Sequence, residues 1–335
     1  MAQNLNPQQQ AALKYIDGPL LVLAGAGSGK TSVITRKIAY LVEDCGIPAR
    51  NIAAVTFTNK AAREMKARVG KLLPSDKARG LTVSTFHNLG LTIIRSEIKT
   101  LGFKAGFSIL DQEDCRNLLK ELMVRHSELD EKLIDTVQNS ISNWKNGLLD
   151  PGHASSRAES SGEQGIALLY ERYQRALKAY NAVDFDDLIM TPVLLFRDHP
   201  EVLAKWQRRI RYLLVDEYQD TNLAQYELVK TLVNEKQALT VVGDDDQSIY
   251  AWRGARPENL MQLQEDFPGL NVIKLEQNYR STGRILKAAN TLIDNNPHLI
   301  SKALWSELGY GDPLRFITSD NEESECERVV NEIID

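Results

Sequence analysis

Eight residues, Ala24-Gly25-Ala26-Gly27-Ser28-Gly29-Lys30-Thr31, constrain this chain more than any other segment. The apolar run Leu20–Leu23 leads into them, and residues 32–41 follow with apolar side chains at helical spacing. A strand, a glycine-rich turn and a helix in that order aim backbone N–H groups and a helix N-terminus at one point, where an anion can sit. The glycines let the backbone come close, the Lys30 ammonium reaches terminal phosphates, and the Thr31 hydroxyl can ligate Mg²⁺. Ala24 stands where the general pattern has glycine, a small residue for a small one. The plain alternative is a turn that binds nothing, and GxGK[ST] between a strand and a helix weighs against it. An α/β fold of the P-loop nucleotide-binding class follows.

The 335 residues allow about two domains with a real core. A net charge of -5 and a pI near 5.7 exclude a uniformly basic nucleic-acid binder but leave room for a basic groove. Cys45, Cys115 and Cys326 lie far apart with no zinc spacing, as free thiols in a reducing compartment would. The first residues are neither basic nor apolar, so no export signal is visible and a cytoplasmic location is expected. No apolar run approaches the roughly 20 residues that span a bilayer.

Short apolar runs recur, each ending in a polar or glycine-containing cluster, as parallel strands do when their C-terminal ends build a site. They are Leu20–Leu23, Ile52–Phe57, Leu81–Ser84, Tyr212–Val215, Leu239–Val242 and Val272–Leu275. Residues 88–195 carry helical periodicity instead and read as an inserted all-helical domain. Within it the polar stretch from Asp150 to Gly162 reads as a mobile loop. A helix is expected over Ser281–Asn290, a strand over Leu314–Thr318 and an amphipathic helix over about Asn321–Ile334.

A nucleotide hydrolase needs a second metal anchor and a base. Asp216 and Glu217, at the end of Leu213-Leu214-Val215, offer both: one carboxylate for Mg²⁺ and one to orient or deprotonate water. Gln219 and Asp220 extend the cluster. Gln247 can sense a γ-phosphate because its amide both donates and accepts. Arg280 can stabilise charge on a transferring phosphoryl group. Either of the last two can equally be an ordinary surface residue.

Aromatic residues sit where such an enzyme does not need them. Phe57, Phe86, Phe185, Tyr250 and Trp252 lie in or beside polar clusters, with Lys60, His87, Arg253 and Arg256 close in sequence. Rings beside cations form a platform for unpaired bases. Each ring taken singly is as readily a core residue. Asp184-Phe185-Asp186-Asp187 can also be an acidic helix cap.

Together these segments resemble the superfamily-one DNA helicases of the Rep/UvrD/PcrA group. The resemblance rests on Leu5-Asn6-Pro7-Gln8-Gln9, Ala24–Thr31, Thr56–Ala62, Thr85–His87, Val215–Thr221, Val242–Ala255 and Gln277–Ser281, in that order. It implies a RecA-like parallel sheet flanked by helices, divided as residues 1–87 and 196–276 (first motor domain), 88–195 (helical insertion) and 277–335 (start of a second motor domain). It implies ATP and Mg²⁺ as cofactors, held by Gln9, Ala24, Gly25, Ala26, Gly27, Ser28, Gly29, Lys30, Thr31, Asp216 and Tyr279. Gln9 would read the adenine, Tyr279 would stack on it, and Arg280 would be one of two arginine fingers. Gln247 would couple phosphate state to DNA. Phe57, Asn59, Thr85, Phe86, His87, Phe185, Tyr250, Trp252 and Arg253 would contact single-stranded DNA. Ser32 stands where the group usually has arginine.

The implied activity is ATP-driven 3′→5′ translocation and unwinding, in replication restart and repair. The implied partners are single-stranded and fork DNA and replisome proteins, with no membrane, for a monomer or weak dimer. The group continues into a second motor domain with two further motifs, so this sequence reads as an N-terminal part. A nucleotide- and DNA-binding module without motor activity is the rival reading.

Overall fold

Every residue of Leu20–Ala24 is buried, and the reason lies in a sheet covered on both faces. The computed structural model describes residues 5–126, 130–296 and 301–334, the side chains of 126, 131 and 253 excepted. In chain order the strands are β1 (Leu20–Ala24), β2 (Ile52–Thr56), β3 (Thr82–Thr85), β4 (Ser108–Ile109), β5 (Ala182–Val183), β6 (Tyr212–Val215), β7 (Leu239–Gly243) and β8 (Asn271–Leu275). Six of them form one sheet in the order β3-β2-β6-β7-β1-β8, and every pairing in it is parallel.

Alternate residues of each strand feed opposite layers. Leu21, Ala53, Val55, Leu213 and Val215 join one core, while Leu20, Val22, Ala54, Tyr212 and Leu214 join the other. The second core is closed by the helix Lys30–Glu43 through Val33, Ile34 and Ile38. Registers Val55↔Val215, Val215↔Val241 and Leu23↔Gly243 align the strand ends, so the loops that follow them share one edge. The P-loop α/β fold expected from the sequence is the fold observed.

Residues 88–195 hold a separate apolar cluster built from the helices Gln112–His126, Ile134–Asn146, Pro151–Arg157 and Ser161–Ala179, with Leu119, Val137, Ile141, Tyr170 and Leu177 at its centre. The stretch is not all-helical: β4 and β5 pair in parallel at its base. Nor is Asp150–Gly162 a loop. Asp150 caps the helix Pro151–Arg157 by accepting from the His153 N–H at 2.9 Å, and Pro151 opens it. The helices Phe86–Ser96 and Asp187–Asp198, at the two ends of the stretch, supply Leu89, Ile93, Ile189 and Val193 to a core of the sheet.

Residues 314–318 form no strand, although Leu314-Arg315-Phe316-Ile317-Thr318 has the composition for one, because no described segment pairs with it. The helices Gly283–Ile293 and Glu322–Ile334 lie where sequence periodicity puts them. Cys45, Cys115 and Cys326 are free thiols, and among the described residues no helix is long and apolar enough to cross a membrane.

Gly90 marks a close approach between the helices Phe86–Ser96 and Asp187–Asp198. A Cβ there would lie 1.8 Å from the Leu188 carbonyl oxygen, which belongs to the backbone and cannot rotate away. Gly90→Ala is therefore expected to destabilise the chain by about 1–3 kcal/mol, the usual cost of overpacking, despite the better helix propensity of alanine. Urea denaturation checks this, and unchanged stability would mean that the two helices separate freely.

Candidate functional site

The glycine-rich turn after β1 is shaped by its own backbone. Gly27 and Gly29 have φ of 71° and 88°, a region that a side chain rarely tolerates. Ser28 closes the turn, its hydroxyl donating to the Gly25 carbonyl at 2.7 Å. Gln9 lies beneath it: its amide donates to the Ser28 carbonyl at 2.9 Å, and a Cβ on Gly29 would meet that amide at 2.9 Å. Asn6 and Gln9 hold each other in a reciprocal cap at the start of the helix Pro7–Lys14, which fixes the Gln9 side chain.

A distant segment staples the turn from the other side. Tyr279 N–H donates to the Gly27 carbonyl at 2.9 Å, and the Asn278 amide donates to the Ala26 carbonyl at 2.6 Å. The Asn278 side-chain oxygen accepts from the backbone N–H groups of Arg280 and Ser281, at 2.8 and 2.7 Å. Arg280 is thus held at the rim of the turn with its side chain exposed. The Tyr279 hydroxyl accepts from the Asn6 amide at 3.0 Å, next to Gln9. Gln9, the turn from Ala24 to Thr31, Tyr279 and Arg280 therefore converge.

Lys30 faces the end of β6. Its ammonium is 3.1 Å from the Glu217 carboxylate, which also accepts from the Gln219 amide at 3.0 Å. Glu217 has φ 52° and ψ 46°, a left-handed conformation that costs a non-glycine residue about 1–3 kcal/mol. Such strain concentrates where a side chain must point to a set place. Asp216 beside it is buried, and its carboxyl is pushed up to about 7, by burial first and by the Glu217 charge second, with Lys30 pulling the other way. Burial and Glu217 also push Asp220 up to about 6.

These buried acids lack enough positive charge nearby. Thr31, the first residue after Lys30 on its helix, and Asp216 form the donor set that a hard cation of the Mg²⁺ type prefers, hydroxyl and carboxylate oxygen. Asp220 also keeps a buried side-chain oxygen with no hydrogen-bond partner among the described residues. The residues fit a divalent cation.

The expected aromatic residues gather on the same side of the sheet. Phe57 and Tyr250 stack with centroids 5.3 Å apart and planes 22° from parallel, and Tyr250 meets Trp252 at 6.3 Å. His87 meets Phe185 edge-on at 6.0 Å, and burial lowers the His87 pKa. A groove of about 870 Å³ between the sheet and the helical unit is lined by Phe57, His87, Phe185 and Trp252 together with Asn143 and Asn146. Trp252 is 74% exposed and Phe185 53%, so neither ring is a core residue.

Two expected contacts differ. Phe86 is 2% exposed and packs with Leu89 and Ile93 in the core, which leaves its ring no open face for a base although the residue borders the groove. Thr85 spends its hydroxyl capping the next helix at the Asn88 N–H, 3.3 Å away. Asn59 accepts from the Asn88 amide at 3.3 Å but stays exposed. The Arg253 side chain lies outside the described residues.

Sequence reasoning missed Lys145, which is fully buried between Asp184 at 2.6 Å and Asp187 at 2.8 Å. It pins the turn that carries Phe185. Asn146 then links Asp186 (3.0 Å) to Asn222 (2.7 Å), just beyond Asp216–Thr221. A lone lysine in a helical pattern carries no signal of this. The repeated acid in Asp184-Phe185-Asp186-Asp187 was the visible half.

The fold and the turn define a P-loop nucleotide-binding α/β protein. A family model described as the UvrD/REP helicase N-terminal domain matches residues 5–268, and one for the UvrD-like helicase C-terminal domain matches residues 273–335. The chain belongs to the UvrD/REP helicase family. It is similar to the ATP-dependent DNA helicase Rep of Escherichia coli (strain K12), 59% identical over 330 residues, which are 98% of this chain and 49% of the relative. The Rep helicase of Salmonella typhimurium gives the same figures. The ATP-dependent DNA helicase PcrA of Staphylococcus aureus (strain Mu50) is 44% identical over 336 residues, 100% of this chain and 46% of the relative. The chain spans about half the length of these relatives.

The raised pKa of Asp216 gives a pH test. An unfolded aspartate titrates near 4, so between about pH 4 and 7 the folded state holds the extra proton, and stability falls as pH rises through that window. Asp216→Asn removes the titration. It should raise the melting temperature of the ligand-free chain more at about pH 8 than at about pH 5, read by scanning fluorimetry. Equal shifts at both pH values would show that Asp216 is ionised throughout.

Proposed function

We propose that this chain is the ATP-binding, single-stranded-DNA-tracking part of a 3′→5′ DNA helicase. One observation carries the reading: the glycine turn, the Lys30–Glu217 contact and the clustered Phe57, Tyr250 and Trp252 rings all follow strands that end on one edge. A nucleotide site and a base platform built from adjacent loops of one sheet can respond to each other. The relatives are ATP-dependent DNA helicases, which agrees with this chemistry.

In this reading Gln9 recognises the adenine edge, Tyr279 covers its face, and the N–H groups of residues 25–31 hold the phosphates. Thr31 and Asp216 would hold Mg²⁺, which would supply positive charge to offset that of the phosphates. Lys30, set on Glu217 here, swings its ammonium toward the terminal phosphate. That frees Glu217 to accept a proton from the attacking water. Arg280 at the rim stabilises the developing charge. Phe57, Phe185, Tyr250 and Trp252 stack on successive bases without reading them. We divide the chain as residues 1–87 with 196–276, 88–195, and 277–335. Fork DNA and replisome proteins as partners and a cytoplasmic location, in keeping with three free thiols, complete the proposal.

Lys30→Ala should abolish Mg·ATP binding measured by calorimetry, whereas Glu217→Gln should keep binding and, in a chain extended to the relatives' full length, lose hydrolysis. Equal affinity in wild type and Lys30→Ala would remove the basis of the reading. This chain alone should turn ATP over very slowly, and binding of both ligands with no DNA-stimulated turnover in a chain extended to the relatives' full length would favour the module without motor activity.

Trp252→Ala should weaken single-stranded DNA binding by about 1–3 kcal/mol, equally on oligo-dT and on mixed sequence, without a change in melting temperature. Fluorescence anisotropy at several salt concentrations checks this, since phosphate contacts also make affinity fall with salt. A lower melting temperature with unchanged affinity of the folded chain would mean the ring is structural.

A further inference from the structure

The loop after β7 contains three consecutive acids, Asp244, Asp245 and Asp246, whose carboxylate oxygens lie within 4.8 Å of one another. Like charges at that spacing repel, and Asp244 and Asp245 are also largely buried, at 3% and 6% side-chain exposure. Their cation comes from far along the chain. The Lys302 ammonium is 2.7 Å from Asp244, pairs with Asp245 and Asp246 as well, and is itself 4% exposed. Burial works against charge on Lys302, and the three carboxylates more than offset it, holding the ammonium well above its ordinary range.

Lys302 is not on a free arm. Ala303 N–H donates to the Glu276 carboxylate at 2.9 Å, Trp305 N–H to the Glu276 carbonyl at 3.1 Å, and Asn278 N–H to the Trp305 carbonyl at 2.7 Å. Leu304 lies so close to the glycine turn that a Cβ on Gly25 would meet it at 2.3 Å. The strap at 301–305 is therefore part of the same assembly that staples the turn through Asn278.

On its far side the acidic loop branches. Asp244 N–H donates to the Gln219 side-chain oxygen at 3.0 Å, and Gln219 donates to Glu217, which holds Lys30. The Gln247 amide donates to the Asp244 carboxylate, and the chain then runs directly to Tyr250 and Trp252. One lysine thus sits where the strap beside the nucleotide turn, the Glu217 network and the base-stacking loop meet.

We infer that Lys302 is a positioning residue that couples the nucleotide turn to the base-stacking loop by holding Asp244, Asp245 and Asp246 in a buried ion cluster. The inference rests on the functional reading above. Lys302 touches neither the glycine turn nor the stacked rings, so its loss should spare each binding event and remove the communication between them. Coupling between two ligands is a ratio of affinities and is reciprocal, so it can be measured at equilibrium without turnover.

The test measures the affinity of the 335-residue chain for fluorescent oligo-dT, with and without a saturating non-hydrolysable Mg·ATP analogue. Wild type should show a shift of about fivefold or more, and Lys302→Met a shift below about twofold, with each separate affinity within about threefold of wild type. Hydrogen exchange should rise across residues 243–253 in the variant. A full shift in Lys302→Met overturns the inference, as does a wild-type chain that binds both ligands without any shift. If Lys302→Met does not fold, Asp245→Asn decides, since it leaves Lys302 on two carboxylates: a shift reduced by at least about twofold supports the inference, and an unchanged one overturns it. A wild-type chain that binds no nucleotide overturns the functional reading itself and this inference with it.

Discussion

The ammonium of Lys30 and the carboxylate of Glu217 meet at 3.1 Å although 187 residues separate them in sequence. Nothing local brings them together. They meet because β1 and β6 run parallel in one sheet and end on the same edge, with β7 between them. That single-direction register decides which loops share a site, and the stapling of the glycine turn by Asn278 and the stacking of Phe57 on Tyr250 both follow from it. The left-handed backbone at Glu217 is a cost accepted at this edge to aim one carboxylate.

Buried lysines recur as pins around this edge, and each finds its compensation differently. Lys37 donates to main-chain carbonyls at the end of the helix Pro7–Lys14, 2.8 Å from the Ala12 oxygen, and so fixes the helix that carries Gln9; burial pushes its pKa down to about 7. Lys145 and Lys302 instead gather carboxylates, two and three respectively, and hold the turns that precede exposed aromatic rings. Buried ion pairs contribute little net stability, because desolvation offsets most of the attraction, but they penalise any other arrangement of the loop. Loops that must hold a ring in solvent have few apolar contacts to position them, and a pinned turn supplies the missing constraint.

The glycine turn, the Asp216-Glu217 pair and the six sheet strands were legible in the sequence because each is a local pattern: a glycine-rich segment between an apolar run and a helical one, an apolar run ending in acid, and short continuous apolar runs each ending in a polar cluster. The exposed rings of Phe185 and Trp252 were legible for the same reason, lying beside charges rather than inside apolar periodicity. Phe86 shows the limit. Its neighbours His87 and Thr85 look like those of a surface ring, yet the helix it begins turns it into the core beside Leu89. Asp150-Pro151 carried a helix start that the polar composition after it concealed.

Local sequence determined the class of fold, the glycine-rich turn after β1 and the chemical types available at the strand ends. Tertiary structure alone decided that Asn278 staples Ala26, that Lys145 pins the Phe185 turn, and that Lys302 supplies the charge Asp244, Asp245 and Asp246 need. The physical reason is range. A backbone conformation is set by neighbours in sequence, whereas a buried charge is balanced by whatever the fold brings within a few ångströms, and no spacing along the chain records that.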